Sequence, residues 1–466
     1  MTKSIIIKIA VVLIGILVVF LGRGFFYYNG FYQAPPSEMP SYEQIVAPAA
    51  PSTEFSDVYE EEKGVLIVDV SHDNNFAPWE LNVLLSRVTS RGFGVKLLEK
   101  PEDPKLRLEN LEKKLRFADA LVIISPGLSF SEEEAESIKK FVGKGGKLLL
   151  VEDPTRRHRV LWDPERKGVA INSISAEFGL IFEPDYLYNM KENDGNYRYV
   201  FFRKPYFEVN EITKNLEEIT FYDGGSISSP GLGIVFADEN TFSSFIETKG
   251  RLSPVALSEG SKVLAISDLT FMIEPFNASF DNNRFISNIA DWLTLSVRVF
   301  SFSDFPYFLE DNLKVAYADA SLIEIGLELK NFFERVGKSP ELGQYEKEAE
   351  KREIAEVSQD TVFIGIFEDG TKVEEYLKRG NISITETEIE LENIGQLSQE
   401  KTSLLYLDES SDRKVLIILA DAEETLKDTI ALLKSGEFRK RLVTDILAIC
   451  QWEEEPEEQV ESNEKD

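Results

Sequence analysis

The sequence predicts an α/β body, built on parallel sheet with helices on both faces, carried by one N-terminal membrane-crossing helix. Three observations point there. An apolar run opens the chain, short β-type runs alternate with amphipathic helical stretches after residue 64, and a Pro-rich segment separates the two. Short connections between alternating strands and helices favour parallel pairing, because parallel strands need a crossover that returns the chain to the same edge.

The apolar run is Ile5–Leu21, IIIKIAVVLIGILVVFL, interrupted only by Lys8. Lys8 and Arg23 can snorkel toward headgroups, which stretches the usable span to about Ile5–Tyr28. Phe25, Phe26, Tyr27, Tyr28, Phe31 and Tyr32 then fall where an interfacial aromatic belt belongs. A cleaved secretory signal would need small residues there, so an uncleaved anchor is expected. Lys3 and Lys8 place residues 1–32 as cytoplasmic N-terminus and anchor, with the body outside a cell membrane crossed once. Residues 33–63 hold Pro35, Pro36, Pro40, Pro48 and Pro51 and read as an extended stalk.

The body begins at residue 64. Val65–Val70 is a buried-type strand, and Pro78 opens a helix with Leu81, Leu84, Leu85 and Val88 on one face. Val95–Leu98 reads as a second strand, a short helix follows, and Ala120–Ile124 is a third strand. Ser131 and Glu134 form a capping box before Ala135, Ile138, Phe141 and Val142; Gly145-Gly146 stops that helix, and Lys147–Val151 is a fourth strand. Residues 155–255 are less regular and read as an insertion, with strands at Tyr197–Phe202 and Gly233–Ala237. Alternation resumes at Lys262–Asp268 and a helix near Asn283–Leu295, closing a first domain at about 64–300. A second α/β domain is expected over 305–450, with strands Val362–Phe367, Leu404–Leu407 and Val415–Ala420 and helices near 321–336 and 422–435. Residues 451–466 read as an acidic, disordered tail.

Composition limits chemistry. Eighty-two acidic residues against 51 basic give a formal charge of −31, which repels phosphate backbones and argues against nucleic acid as a partner. With one cysteine, Cys450, and two histidines, no intramolecular disulfide and no Cys-pair zinc site can form, and neither metal nor cofactor is expected. Cys450 is expected at the end of the last helix, beside the acidic tail.

Three stretches carry a family resemblance: LIVDVSHDNNF (66–76), ADALVIISPGLSFSEEEAESIKKFVGKGGKLLLVEDP (118–154), and KVLAISDLTFM with DNNRFISNIADWL (262–272 and 281–293). Residues 65–295 resemble the class I glutamine amidotransferase-like superfamily. Within it they are similar to an uncharacterised, DUF4350-like domain related to the extracytoplasmic parts of gliding-motility and ABC-transporter accessory proteins. The resemblance implies a flavodoxin-like three-layer fold and a role in membrane-associated assemblies. Catalytic members use a cysteine on a sharp strand-to-helix turn with a histidine beside it. The chain's single cysteine falls elsewhere, so amidotransferase chemistry is not expected.

In an open parallel sheet a ligand crevice lies beyond the carboxyl ends of the strands. Asp69, His72, Asp73 and Asn74 follow the first strand, Ser125 the third, Asp153 the fourth, and Asp268 a later one. They form the candidate crevice, weighed against the plainer expectation that such residues cap helices and close βα turns. Arg156, Arg157, His158 and Arg159 form a basic cluster read mainly as a solvated loop. The expected function is a non-catalytic, membrane-tethered binding or scaffold protein with a protein partner. The alternative is an extracellular hydrolase acting on a polar ligand through His72 and nearby carboxylates.

Overall fold

The computed structural model describes residues 3–29, 57–157, 169–245, 251–295, 297–346, 359–392, 394–409 and 413–452. Most of the expected stalk, the acidic tail, His158 and Arg159 lie outside them. The chain divides into two compact units, Met1–Ala50 and Pro51–Asp466.

In the first unit, helix α1 (Lys3–Gly24) buries none of its residues and runs on into a wider turn, Phe25–Asn29. The span Lys3–Tyr27 is long and apolar enough to cross a membrane by length and composition.

The second unit contains two seven-stranded sheets. The first comprises β1 (Gly64–Asp69), β2 (Phe93–Leu98), β3 (Ala120–Ile124), β4 (Lys147–Val151), and the strands Gly233–Val235, Val255–Leu257 and Val263–Ile266. Its spatial order from one edge is β2, β1, β3, β4, Val263–Ile266, Val255–Leu257, Gly233–Val235; the first five are parallel, Val255–Leu257 runs against them, and Gly233–Val235 pairs antiparallel with Val255–Leu257.

Strand alternation sends side chains to two separate cores. Leu66, Val68, Val122 and Leu149 meet Leu84 and Val88 of helix α2 (Asn82–Ser90) and Phe285 and Ile289 of the helix Asn282–Thr294. Ile67, Leu121, Ile123, Leu148 and Leu150 meet Leu111 and Leu115 of α3 (Arg107–Leu115) and Ile138 and Phe141 of α4 (Glu132–Gly143). Near-continuous apolar strands are what a sheet covered on both faces requires. The capping box at α4 forms as the spacing predicts, Ser131 accepting from the Glu134 amide at 3.2 Å and Glu134 accepting from the Ser131 amide at 2.8 Å.

The second sheet runs Ser339–Gln344, Asn312–Tyr317, Asp360–Ile366, Val415–Ala420, Thr402–Asp408, Leu447–Gln451, Leu442–Thr444. Its first four strands are parallel and the rest antiparallel. Helices Ile323–Arg335 and Glu423–Ser435 pack into its core through Leu329, Phe333, Leu426 and Ile430.

Three expectations need correction. Cys450 sits in the strand Leu447–Gln451, opposite Ser403, and not at a helix end. Its thiol is buried, and that burial, rather than an acidic neighbour, pushes its pKa up. The stalk does not run free to residue 63. Asp57 bonds Arg87 at 2.6 Å and Arg91 at 3.0 Å, and the Tyr59 ring lies 4.8 Å from the Arg91 guanidinium. Arg91 is fully buried and also holds Asp291 at 2.6 Å, so Asp57 helps neutralise a cation that cannot reach water. Third, Arg156 and Arg157 are not a solvated loop. Arg156 clasps Glu80 through two bonds of 2.7 and 2.8 Å, and Arg157 bonds Glu152 at 3.1 Å.

Candidate functional site

The carboxyl end of β1 turns sharply, and Asp69 organises the turn. Its Oδ1 accepts from the Ser71 amide at 3.0 Å and the Ser71 hydroxyl at 2.7 Å. Its Oδ2 lies 3.0 Å from His72 Nδ1. Asn74 ties the turn to the neighbouring strand, donating to Ile124 O at 2.9 Å and accepting from the His72 amide at 3.1 Å. The His72 carbonyl in turn accepts from the Gly127 and Leu128 amides at 2.8 and 3.0 Å.

His72 itself is fully buried, its ring stacked on Phe130 at 3.7 Å. Its Nε2 lies 3.5 Å from Glu134 Oε2, an electrostatic contact outside hydrogen-bond geometry. The same Glu134 receives Arg107 Nε at 2.7 Å. Burial alone would drive the imidazole toward its neutral form, but the hydrogen bond to Asp69 and the charges of Asp69 and Glu134 outweigh it and raise the pKa. Glu134 is correspondingly held down at about 2, burial being overcome by His72, the Ser131 amide and Arg107. The arrangement is a buried imidazole between two carboxylates that favour its protonated form.

Asp153 and Asp268 gather at a second place, beyond β4 and Val263–Ile266. Asp153 is fully buried and accepts from the Thr155 amide and hydroxyl at 2.8 and 2.6 Å, and from the Leu269 amide and Thr270 hydroxyl at 3.3 Å each. Asp268 accepts from the Tyr222 and Thr270 amides at 2.8 and 2.7 Å. Burial, reinforced by the charge of Asp153, raises the Asp268 pKa well above the carboxylate range. Ser125, at φ +38°, links the two places, its hydroxyl receiving the Asp153 amide at 3.3 Å and its carbonyl the Asn75 amide at 2.9 Å. Asp73 stands apart at the surface, paired with Lys100 at 2.6 Å.

The candidate crevice therefore resolves into turn chemistry. Asp69, Asp153 and Asp268 are each satisfied by amides, hydroxyls or side chains of the chain itself. His72 does not converge with Asp153 and Asp268 on one set of hydrogen bonds. Among the described residues no group of three or more His, Cys, Asp or Glu side chains is placed to hold a metal ion. Sequence reasoning missed Glu134 and Phe130 as the partners of His72. The signal was present, since a capping-box glutamate has its carboxylate fixed over the helix start, but its second partner comes from a strand 60 residues earlier. Glu152, which the sequence places with Asp153 after the fourth strand, is the less satisfied of the two. It is buried, holds Arg157 with one oxygen while the other has no hydrogen bond within the described structure, and burial pushes its pKa up to about 7.

No family model matches the chain, and no curated protein matches it. Solved structures similar to it include an IFT52 N-terminal domain (14% identity, TM-score 0.39, covering 50% of this chain and 99% of that one). Another is a putative ThuA-like protein from Parabacteroides merdae (13% identity, TM-score 0.30, covering 52% of this chain and 94% of that one).

Proposed function

We propose that this protein is a single-pass, membrane-anchored scaffold that presents an acidic α/β body on the extracytoplasmic side to a protein partner. The observation that carries the reading is α1, a membrane-length helix with no buried residue. An apolar helix of that length with no buried residue among the described ones calls for another apolar phase. Lys3 and Lys8 favour a cytoplasmic N-terminus. The strand order β2-β1-β3-β4 followed by Val263–Ile266, with helices packed on both faces, supports a flavodoxin-like first domain. The resemblance to accessory domains of transport and envelope assemblies belongs to the same proposal. The geometry weighs against a hydrolase built on His72, because a general base needs a nitrogen facing substrate, whereas both nitrogens here face carboxylates of the fold.

The test combines fractionation with partner capture. The full chain should resist alkaline extraction from membranes, and protease added outside intact cells should release the body. Cross-linking in intact cells should capture the same partners with wild type and with His72→Ala at equal folded amount. Recovery of the chain in the soluble fraction, or protection of the body until lysis, removes the reading.

A further inference from the structure

The insertion carries an exposed aromatic face that the fold does not use. Strand Leu187–Asn189 pairs antiparallel with Thr241–Ser243, Phe242 opposite Tyr188. The pairing is extended by reciprocal bonds between Tyr186 and Ser244, each 2.9 Å. Strict alternation sorts the side chains. Leu187, Asn189, Thr241 and Ser243 are buried, while Tyr188 and Phe242 turn outward and stack at 5.8 Å. Tyr186 and Met190 continue that face along the strand. Tyr197 packs edge-on against Tyr188 at 6.3 Å, and Phe245 follows the ladder. Met190 and Phe245 are 70% and 67% exposed, far more than a core-facing residue of a closed fold.

We infer that this tyrosine face docks a basic, extended protein segment, one bearing lysine or arginine side chains. The inference rests on the scaffold reading and names its contact surface. Two observations choose the occupant. The rings already take a guanidinium, since Arg198 lies 4.0 Å from the Tyr186 ring centroid and 5.6 Å from that of Tyr197. The surrounding charge is acidic: Glu192 and Asp223 are paired with Arg203 and Arg198, and Asp194, Asp238 and Glu239 then stand against Lys191, on a chain of net charge −31. Tyrosine, phenylalanine and methionine around a rim of opposite charge is the composition of a protein contact rather than of a lipid-facing patch, which an acidic rim would repel.

The experiment measures fluorescence anisotropy of labelled decaarginine, decaglutamate and a neutral Gly-Ser decamer with the full chain in neutral detergent. Decaarginine should bind, and the other two should not. Y188S/F242S should weaken decaarginine about tenfold, although neither substitution changes net charge. M190S/F245S, at exposed positions whose loss cannot unfold the ladder, should weaken it in the same direction. Unchanged affinity in the folded variants would show binding by diffuse charge, and equal binding of the neutral peptide would show a non-ionic site. Self-association abolished by the same variants would make the occupant a second copy. Each of these overturns the inference while leaving membrane anchorage and partner capture standing.

Discussion

The Asp69–His72–Glu134 arrangement makes a pH-dependent prediction at the level of single residues. His72 has its folded pKa raised above its ordinary 6.5, so its contribution is complete below that value and is lost as pH rises through the raised one. Glu134 is lowered from 4.5 to about 2, so its contribution is complete above 4.5 and is lost as pH falls toward 2. His72→Gln should therefore destabilise most between pH 4.5 and 6.5, by about 3 kcal/mol as expected for breaking a buried pair, and least in alkali. Urea unfolding of both proteins across pH 4–9 checks this; a deficit that does not vary with pH contradicts a charged imidazole. Glu152 behaves in the opposite way to an ordinary salt-bridged acid. Its pKa is raised from 4.5 to about 7, so the folded protein loses stability as pH rises between those values. Glu152→Gln should flatten that slope and stabilise the protein above pH 7, by at most roughly 3 kcal/mol.

At the level of elements, the turn between α4 and β4 is set by one backbone position. Gly145 has φ +99°, and a Cβ there would run into the Val297 carbonyl oxygen. Gly145→Ala should lower stability by about 2 kcal/mol or more through strain and clash together, read from the urea midpoint, whereas Gly143→Ala on the same helix meets open space and should not. This turn was legible in the sequence, because Gly145-Gly146 punctuates a well-capped helix. So were β1, β3, β4 and Val415–Ala420, whose continuous apolar runs admit little but buried parallel strands. What escaped was set by tertiary partners. Cys450, expected at a helix end, lies in Leu447–Gln451, which pairing with Thr402–Asp408 makes a strand. Asp69, Ser125, Asp153 and Asp268 lie at or just beyond strand ends, but local pattern could not show that Glu134 closes over His72, or that Asp153 faces Thr270. Those pairings join segments 62 and 117 residues apart.

Across the whole molecule, the unit Pro51–Asp466 includes more of the chain than the strand pattern suggests. A truncated chain beginning at Pro51 keeps Asp57 against Arg87 and Arg91; one beginning at Tyr59 loses it. Both should stay in solution, because the long apolar run lies before residue 33. The shorter one should melt several degrees lower, since Arg91 remains fully buried with Asp291 as its remaining carboxylate, a loss of about 2 kcal/mol. Equal melting temperatures would show that the clasp contributes nothing to the fold.

Asp57 also decides how mechanical load would enter the body. Among the described residues, a pull arriving along the chain from α1 first meets Asp57, seven residues before β1 begins at Gly64. Tension there is borne by the guanidinium groups of Arg87 in α2 and Arg91 at its C-cap, and by the Ser287 hydroxyl of the helix Asn282–Thr294. The two helices pack against each other over the first sheet, so force is shared sideways between them before any strand is reached. Without the clasp the same pull would act lengthwise on β1, a central strand bonded to β2 and β3 on either side. Were α1 held in a membrane, the clasp would act as a strain relief, keeping a tug on that helix away from the hydrogen-bond ladder at the middle of the sheet.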